Sequence, residues 1–220
     1  RQYLAPYIKR PEAVKVIPNG FDEKRFKPIS HENEVAQLIT VCRLVPAKGL
    51  DVLLHACAEL KQRGCPFVLH IIGDGPMRKE LEQLAKELHL YDDIIFYGYM
   101  LHPEEFMPFF DIFVLPSRAE AFGSVFAEAA LCWLALVGTD VGGISEQIED
   151  GVNGLLVPPD DAEALANALE KLVTDPDYRY NMAREAWNKA KKVYSLQRVI
   201  AQLKKVYVGL GNGQGSRTEA

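Results

Sequence analysis

Residues 111–139 read "DIFVLPSRAEAFGSVFAEAALCWLALVGT". The opening "DIFVLP" is a short apolar run closed by proline, as a buried strand is. "GSVFAEAALC" then spaces its apolar residues as a helix does, and "LALVGT" returns to a buried strand pattern. This is one strand–helix–strand unit. Working outward, "QLITVCR" (37–43), "FVLHIIG" (67–73), "DIIFYG" (93–98) and "GLLVP" (154–158) repeat the strand signature. Between them lie "GLDVLLHACAELKQRG", "PMRKELEQLAKELHL", "HPEEFMPFF" and "GISEQIEDG", read as helices, with Pro76 in a first turn and Gly64 past a last one. Continuously apolar strands alternating with helices predict an α/β fold: a Rossmann-like, doubly wound parallel sheet of about six strands with helices on both faces. Ligands of such sheets bind at the carboxyl ends of the strands.

Composition narrows the function classes. A chain of 220 residues that is 48% hydrophobic and 25% charged can bury a full core. A net charge of −5 and the lack of a long basic block argue against nucleic acid as a partner. Cys42, Cys57, Cys65 and Cys132 form no CxxC pair and sit inside apolar patterns, the usage of buried reduced thiols in the cytoplasm. No apolar run reaches the roughly 18–20 residues of a membrane span, and no signal-peptide core opens the chain. The histidines (His31, His55, His70, His89, His102) show no ligand spacing, so no metal is expected.

The region after the sixth strand reads as helical with interruptions at Asp175-Pro176 and near Ser195, followed by a polar, Gly-rich tail expected to be disordered. Basic residues dominate 177–210. They read as a solvated helical face or, alternatively, as a surface apposed to anionic lipid or another domain; in a full enzyme the latter would mean peripheral association with the cytoplasmic face of a membrane.

Glu120 and Glu128 frame the chemistry. On one unbroken helix they would lie about 12 Å apart along the axis. The Phe122-Gly123 break instead predicts Glu120 in a strand-to-helix loop and Glu128 on the helix that follows, whose first amides (Gly123, Ser124, Val125) would face an anion. That arrangement suits an extended ligand with hydroxyls at both ends and phosphate between, the shape of a nucleotide-sugar. Arg43 and Lys48, in "VCRLVPAKGLD", read either as solvated surface cations or as a cradle for a departing diphosphate. "GDGP" lacks the third glycine of a dinucleotide fingerprint, so Gly73 and Gly75 are read as a turn skirting the nucleotide. Tyr97 and Tyr99 are open between base stacking and core packing.

These motifs carry a family resemblance. "IPNGFDEKRFKP", "VCRLVPAKGLDVLL", "IIGDGPMRKELEQLAKEL", "FYGYM", "DIFVLPSRAEAFGSVFAEA" and "TDVGGISEQIEDGVNGLLVPPDDAEALANAL" follow the order and spacing of the carboxyl-terminal donor-binding domain of family 4 (group 1) retaining glycosyltransferases. The chain resembles the C-terminal half of a GT-B enzyme over nearly its whole length. The resemblance implies that Glu120 contacts the donor sugar, Glu128 the ribose, Arg43 and Lys48 the diphosphate, the amides around Phe122, Gly123 and Ser124 sugar and phosphate, and Gly98 and Tyr99 the base. It implies a UDP- or GDP-sugar as substrate, no further cofactor, and an N-terminal acceptor-binding domain that these residues do not include. On that basis 1–30 are expected to be a remnant of the interdomain connection, 31–194 the donor domain, 195–210 a crossover helix and 211–220 a disordered tail, with little transfer by this part alone. Three positions depart from the pattern: Trp133 and Ala135 stand where the family usually has glycine and proline, and Cys42 where glycine often precedes the arginine, a small-for-small change. A tryptophan forced into the left-handed backbone that glycine tolerates would cost about 1 kcal/mol and need burial for its ring; the alternatives are a slightly different loop or a ring packed in the core. Rival readings are a non-catalytic nucleotide-sugar-binding domain and a glycoside hydrolase using the glutamate pair.

Overall fold

The computed structural model describes residues 14–29 and 33–212. All six strands form: β1 (Ala36–Val41), β2 (Phe67–Ile72), β3 (Ile94–Gly98), β4 (Ile112–Leu115), β5 (Ala135–Thr139) and β6 (Leu155–Val157). They make one parallel sheet in the order β3-β2-β1-β4-β5-β6. β4 and β5 are buried at every residue, which is why they read as unbroken apolar runs, whereas β3, at the sheet edge, alternates buried with exposed. Leu38 stands level with both Leu69 and Ile112, so the carboxyl ends of β1, β2 and β4 emerge together.

Helices α1 (Leu50–Gln62), α2 (Arg78–Glu87) and α5 (Ala162–Thr174) pack together on one face, and α3 (Ser124–Leu131) and α6 (Pro176–Tyr194) on the other. The short α4 (Ile144–Gln147) follows β5, and α7 (Leu196–Asn212) closes the described chain. The break at Asp175-Pro176 is a helix start: Asp175 caps α6 by accepting from the Tyr178 amide at 2.9 Å, with Pro176 in the first turn. At Ser195 the backbone leaves the helix and is bracketed by Phe21, whose amide donates to the Tyr194 carbonyl (2.8 Å) and whose carbonyl accepts from Leu196 (2.9 Å). Residues near Phe21 therefore dock on the α6–α7 junction.

Three helix readings are corrected. "HPEEFMPFF" forms two 3-10 turns, Pro103–Glu105 and Met107–Phe109, because Pro108 supplies no amide to carry a helix through. "GISEQIEDG" keeps only α4, since Ile148 turns extended (φ −102°, ψ 127°) and the Glu149 amide goes to the Asn153 side chain at 2.6 Å. α2 begins at Arg78, leaving Pro76 in the preceding turn. α7 continues to Asn212, past the helix end read from sequence; most of the expected tail, the first thirteen residues and His31 lie outside the described residues. No described helix is long and apolar enough to cross a membrane.

Trp133 takes the left-handed backbone, φ 70°. It ends α3 as a glycine would: the Leu134 amide reaches back to Ala129 and the Trp133 amide to Ala130, each at 3.1 Å. Its ring packs on Trp187 (centroids 5.1 Å apart) and Tyr180 (5.8 Å), which offsets the backbone strain. Ala135 is buried and donates its amide to Asp111 at 3.0 Å, a bond that proline could not make. Trp133→Ala keeps the strain and loses the ring, whereas Trp133→Gly loses the ring but relaxes the backbone. Denaturant unfolding is expected to show both variants destabilised, with Trp133→Ala the worse by about 1 kcal/mol; equal losses would mean that the turn stores no strain.

Candidate functional site

Strand order reverses between β1 and β4, and the loops leaving their carboxyl ends meet there. After β1, a 3-10 turn (Pro46–Lys48) ends on Gly49 at φ 65°. A Cβ on Gly49 would lie 2.1 Å from the Pro116 carbonyl oxygen, so only glycine lets this turn touch the loop after β4. The Arg118 amide adds a 2.8 Å bond to the Ala47 carbonyl. Across this contact the Lys48 ammonium is ion-paired with the Glu120 carboxylate, both side chains largely shielded from solvent.

Glu120 sits in the loop and Glu128 on α3, as the Phe122-Gly123 break predicts. The loop is gripped from the β5 side as well. A Cβ on Gly142 (φ 50°) would lie 1.9 Å from the Glu120 carbonyl oxygen, and the Gly143 amide donates to that oxygen at 3.3 Å. Buried Gln147 donates to the Phe122 carbonyl and to that of Gly123 (3.1 Å), and the Phe122 ring stands edge-on to Tyr194. Gly123 starts α3 with no side-chain cap, and helix geometry gives the Ser124 and Val125 amides no acceptor inside α3. These amides point out of the helix start, where the dipole favours an anion.

Glu128 is half-buried on α3. Burial raises its pKa, and the charge of Glu104 raises it further, with Arg25 opposing. Glu104 is itself buried, forms an ion pair with Arg25, and lies 3.3 Å from His102 Nδ1. Burial pushes the Glu104 carboxyl up, but the Arg25 hydrogen bond and lesser contacts outweigh it and hold the group below its ordinary value. Cys42, close enough to Lys48 and Glu120 to feel both charges, has its thiol pushed up to about 12 by burial, which makes it a poor nucleophile.

The remaining sequence candidates line the same edge. Arg43 is exposed at the end of β1 and makes no side-chain bond to any described residue. The Gly73 amide donates to the Gly98 carbonyl (2.8 Å), and Gly75 packs against the Leu44 carbonyl, so the loops after β1, β2 and β3 interlock. Tyr99 is 75% exposed at the end of β3, free to meet a ligand. Tyr97 is spent on structure: its hydroxyl is 3.0 Å from His70 Nδ1 and its ring stands edge-on to Phe106. The described residues contain no cluster of three or more His, Cys, Asp or Glu able to hold a metal. A cavity of about 520 Å³ lies at the opposite, amino edge, against Asp111, Trp133 and Arg179, and none of the candidate residues lines it.

Sequence reasoning missed Gly142, Gly143 and Gln147, although the Gly-Gly pair after β5 signals a close backbone approach. It also missed Arg25, Glu104 and Arg118, whose partners lie 79, 79 and 67 residues away and leave no local pattern.

Residues 21–192 match the family described as glycosyl transferases group 1. The chain belongs to that family, and its sheet is the Rossmann-like domain of the GT-B glycosyltransferases. It is 38% identical to alpha-D-kanosaminyltransferase of Streptomyces kanamyceticus, over 79% of this chain and 46% of that protein. It is 32% identical to N-acetyl-alpha-D-glucosaminyl L-malate synthase of Bacillus anthracis, over 91% of this chain and 55% of that one. The chain thus spans about half the length of these relatives. Anabaena HepE, crystallised with UDP and glucose, superposes with a TM-score of 0.82 at 26% identity, covering 94% of this chain and 60% of HepE.

The raised pKa of Glu128 has a sign that can be tested. A carboxyl whose folded pKa lies above its unfolded value is more favourably protonated in the folded chain. Its protonation stabilises the fold as pH falls through the raised value, and its ionisation weakens the fold near neutrality. Glu128→Gln is expected to raise Tm at pH 7.5, with the gain shrinking at pH 5; a gain independent of pH would show that burial of the charge is not its cause.

Proposed function

We propose that this chain is the donor-binding half of a retaining glycosyl transferase, holding a nucleotide-sugar such as a UDP- or GDP-sugar along the carboxyl edge of its sheet. The observation that carries the reading is the Lys48–Glu120 ion pair at the reversal of strand order. In this pair each group neutralises the other. With donor present each has a second partner, Lys48 the diphosphate and Glu120 the hydroxyls of the transferred sugar. Arg43, exposed beside them, adds a second cation, and the first amides of α3 complete the anion cradle. Glu128, further along α3, takes the ribose hydroxyls, and Gly73, Gly75, Gly98 and Tyr99 border the base.

The chemistry follows from that cradle. As the bond between the anomeric carbon and the diphosphate breaks, charge builds on the departing nucleoside diphosphate, and Lys48, Arg43 and the α3 amides stabilise it more strongly than they do the intact donor. Glu120 orients the sugar without attacking it, and the acceptor enters on the face the leaving group vacates, so configuration is retained. The acceptor is held by an N-terminal domain outside these 220 residues. The complexes of Anabaena HepE with UDP and with UDP-glucose support a donor of this class.

Calorimetric titration with UDP, GDP and ADP, each beside its nucleoside, tests the cradle. Lys48→Ala and Arg43→Ala should each weaken nucleoside diphosphate binding by about 1.5–3 kcal/mol while changing nucleoside binding far less. Equal losses for both ligands count against the assignment. Glu120→Gln should bind nucleoside diphosphate at least as tightly as the parent, because it releases Lys48, yet slow transfer in the full-length enzyme. A glycosyl ester trapped on Glu120, or a product of inverted configuration, would refute the mechanism.

A further inference from the structure

Arg118 lies two residues before Glu120, and its guanidinium is almost wholly committed. Nη1 and Nη2 fork the Asp51 carboxylate at 2.9 and 2.6 Å, Nη1 also donates to the Pro46 carbonyl at 2.6 Å, and Nε donates to Asp160 at 2.6 Å. Its amide holds Ala47. One residue thereby joins three segments: the turn Pro46–Lys48 with the start of α1, its own loop after β4, and the turn before α5. The grip shows at Asp51: the Arg118 hydrogen bond holds its carboxyl below the ordinary value against the effect of burial.

The turn that carries Lys48 needs such an anchor. It is three residues long, has no buried residue, and within itself is closed by the bonds Lys48 to Val45 (3.0 Å) and Gly49 to Pro46 (3.2 Å). Lysine is a point charge on a flexible stem, so its placement follows that of its backbone. We propose that Arg118 is a positioning residue for the donor site: through Asp51, Asp160 and the Pro46 and Ala47 carbonyls it fixes the Lys48 turn against the Glu120 loop, and it leaves the diphosphate to Lys48. The proposal rests on the donor-binding reading above.

A double-mutant cycle with the best-bound of UDP, GDP and ADP distinguishes this role from general support of the fold. Arg118→Gln should weaken nucleoside diphosphate binding about tenfold in the parent, and hardly at all once Lys48→Ala is present. Arg118→Lys, which keeps the charge without the fork, should fall between Arg118→Gln and the parent. Equal losses in both backgrounds, or a lowered Tm with unchanged affinity, overturn the proposal. Hydrogen exchange decides the anchoring without any ligand. Arg118→Gln should speed exchange of the amides of residues 47–49 and leave those of residues 142–144 as in the parent; unchanged exchange at 47–49 refutes the anchoring. If no nucleoside diphosphate binds the parent chain, the donor reading falls, while the exchange result still stands for or against Arg118.

Discussion

The site depends on one backbone contact, that of the turn after β1 with the loop after β4, where Gly49 faces the Pro116 carbonyl. A side chain at position 49 would need these loops to move apart by about an ångström, which would draw Lys48 away from Glu120. The contact exists because strand order reverses between β1 and β4, which sends the neighbouring helices to opposite faces and opens a crevice above the strand ends. Two opposite charges are presented there from elements far apart in sequence. Shielded from solvent, either alone would carry a desolvation penalty that the pairing offsets.

The Glu120 loop is held on its other side by Gly142, Gly143 and Gln147, all supplied by the segment after β5. β4 and β5 are buried throughout, so the core fixes the directions from which the loop is gripped. The carboxyl end of the sheet thus inherits rigidity from the packing beneath it. Glu128 is held differently: it is half-buried, and burial together with the charge of Glu104 raises its pKa against the opposing charge of Arg25.

Trp133 belongs to the amino edge of the sheet and is independent of this site. Its backbone takes the conformation glycine would take, and its ring recovers the loss by packing on α6 through Tyr180 and Trp187. A departure from the family pattern is thereby absorbed locally, with the start of β5 kept in place by the Ala135 amide.

The sequence by itself determined the parallel sheet, because strands buried on both faces, as β4 and β5 are, must be continuously apolar; the edge strand β3 reads as an apolar run too, although its Ile95 and Tyr97 are exposed. It determined the breaks at Asp175-Pro176 and Gly123, where proline and glycine chemistry is local, and it marked Glu120, Glu128, Arg43 and Lys48 by their places after strands. It misjudged "HPEEFMPFF" and "GISEQIEDG", where apolar spacing suited a helix but a proline in one and a side-chain bond to the backbone in the other ended it early. Only the tertiary structure decided that Lys48 pairs with Glu120 while Arg43 stays exposed, that Tyr97 serves His70, and that Arg25, Glu104 and Arg118 stand behind the site. Those partnerships join residues tens of positions apart, some across the reversal between β1 and β4 and others, such as His70 with Tyr97, across the neighbouring strands β2 and β3, and no local pattern of residue types encodes a contact that only the folded chain creates.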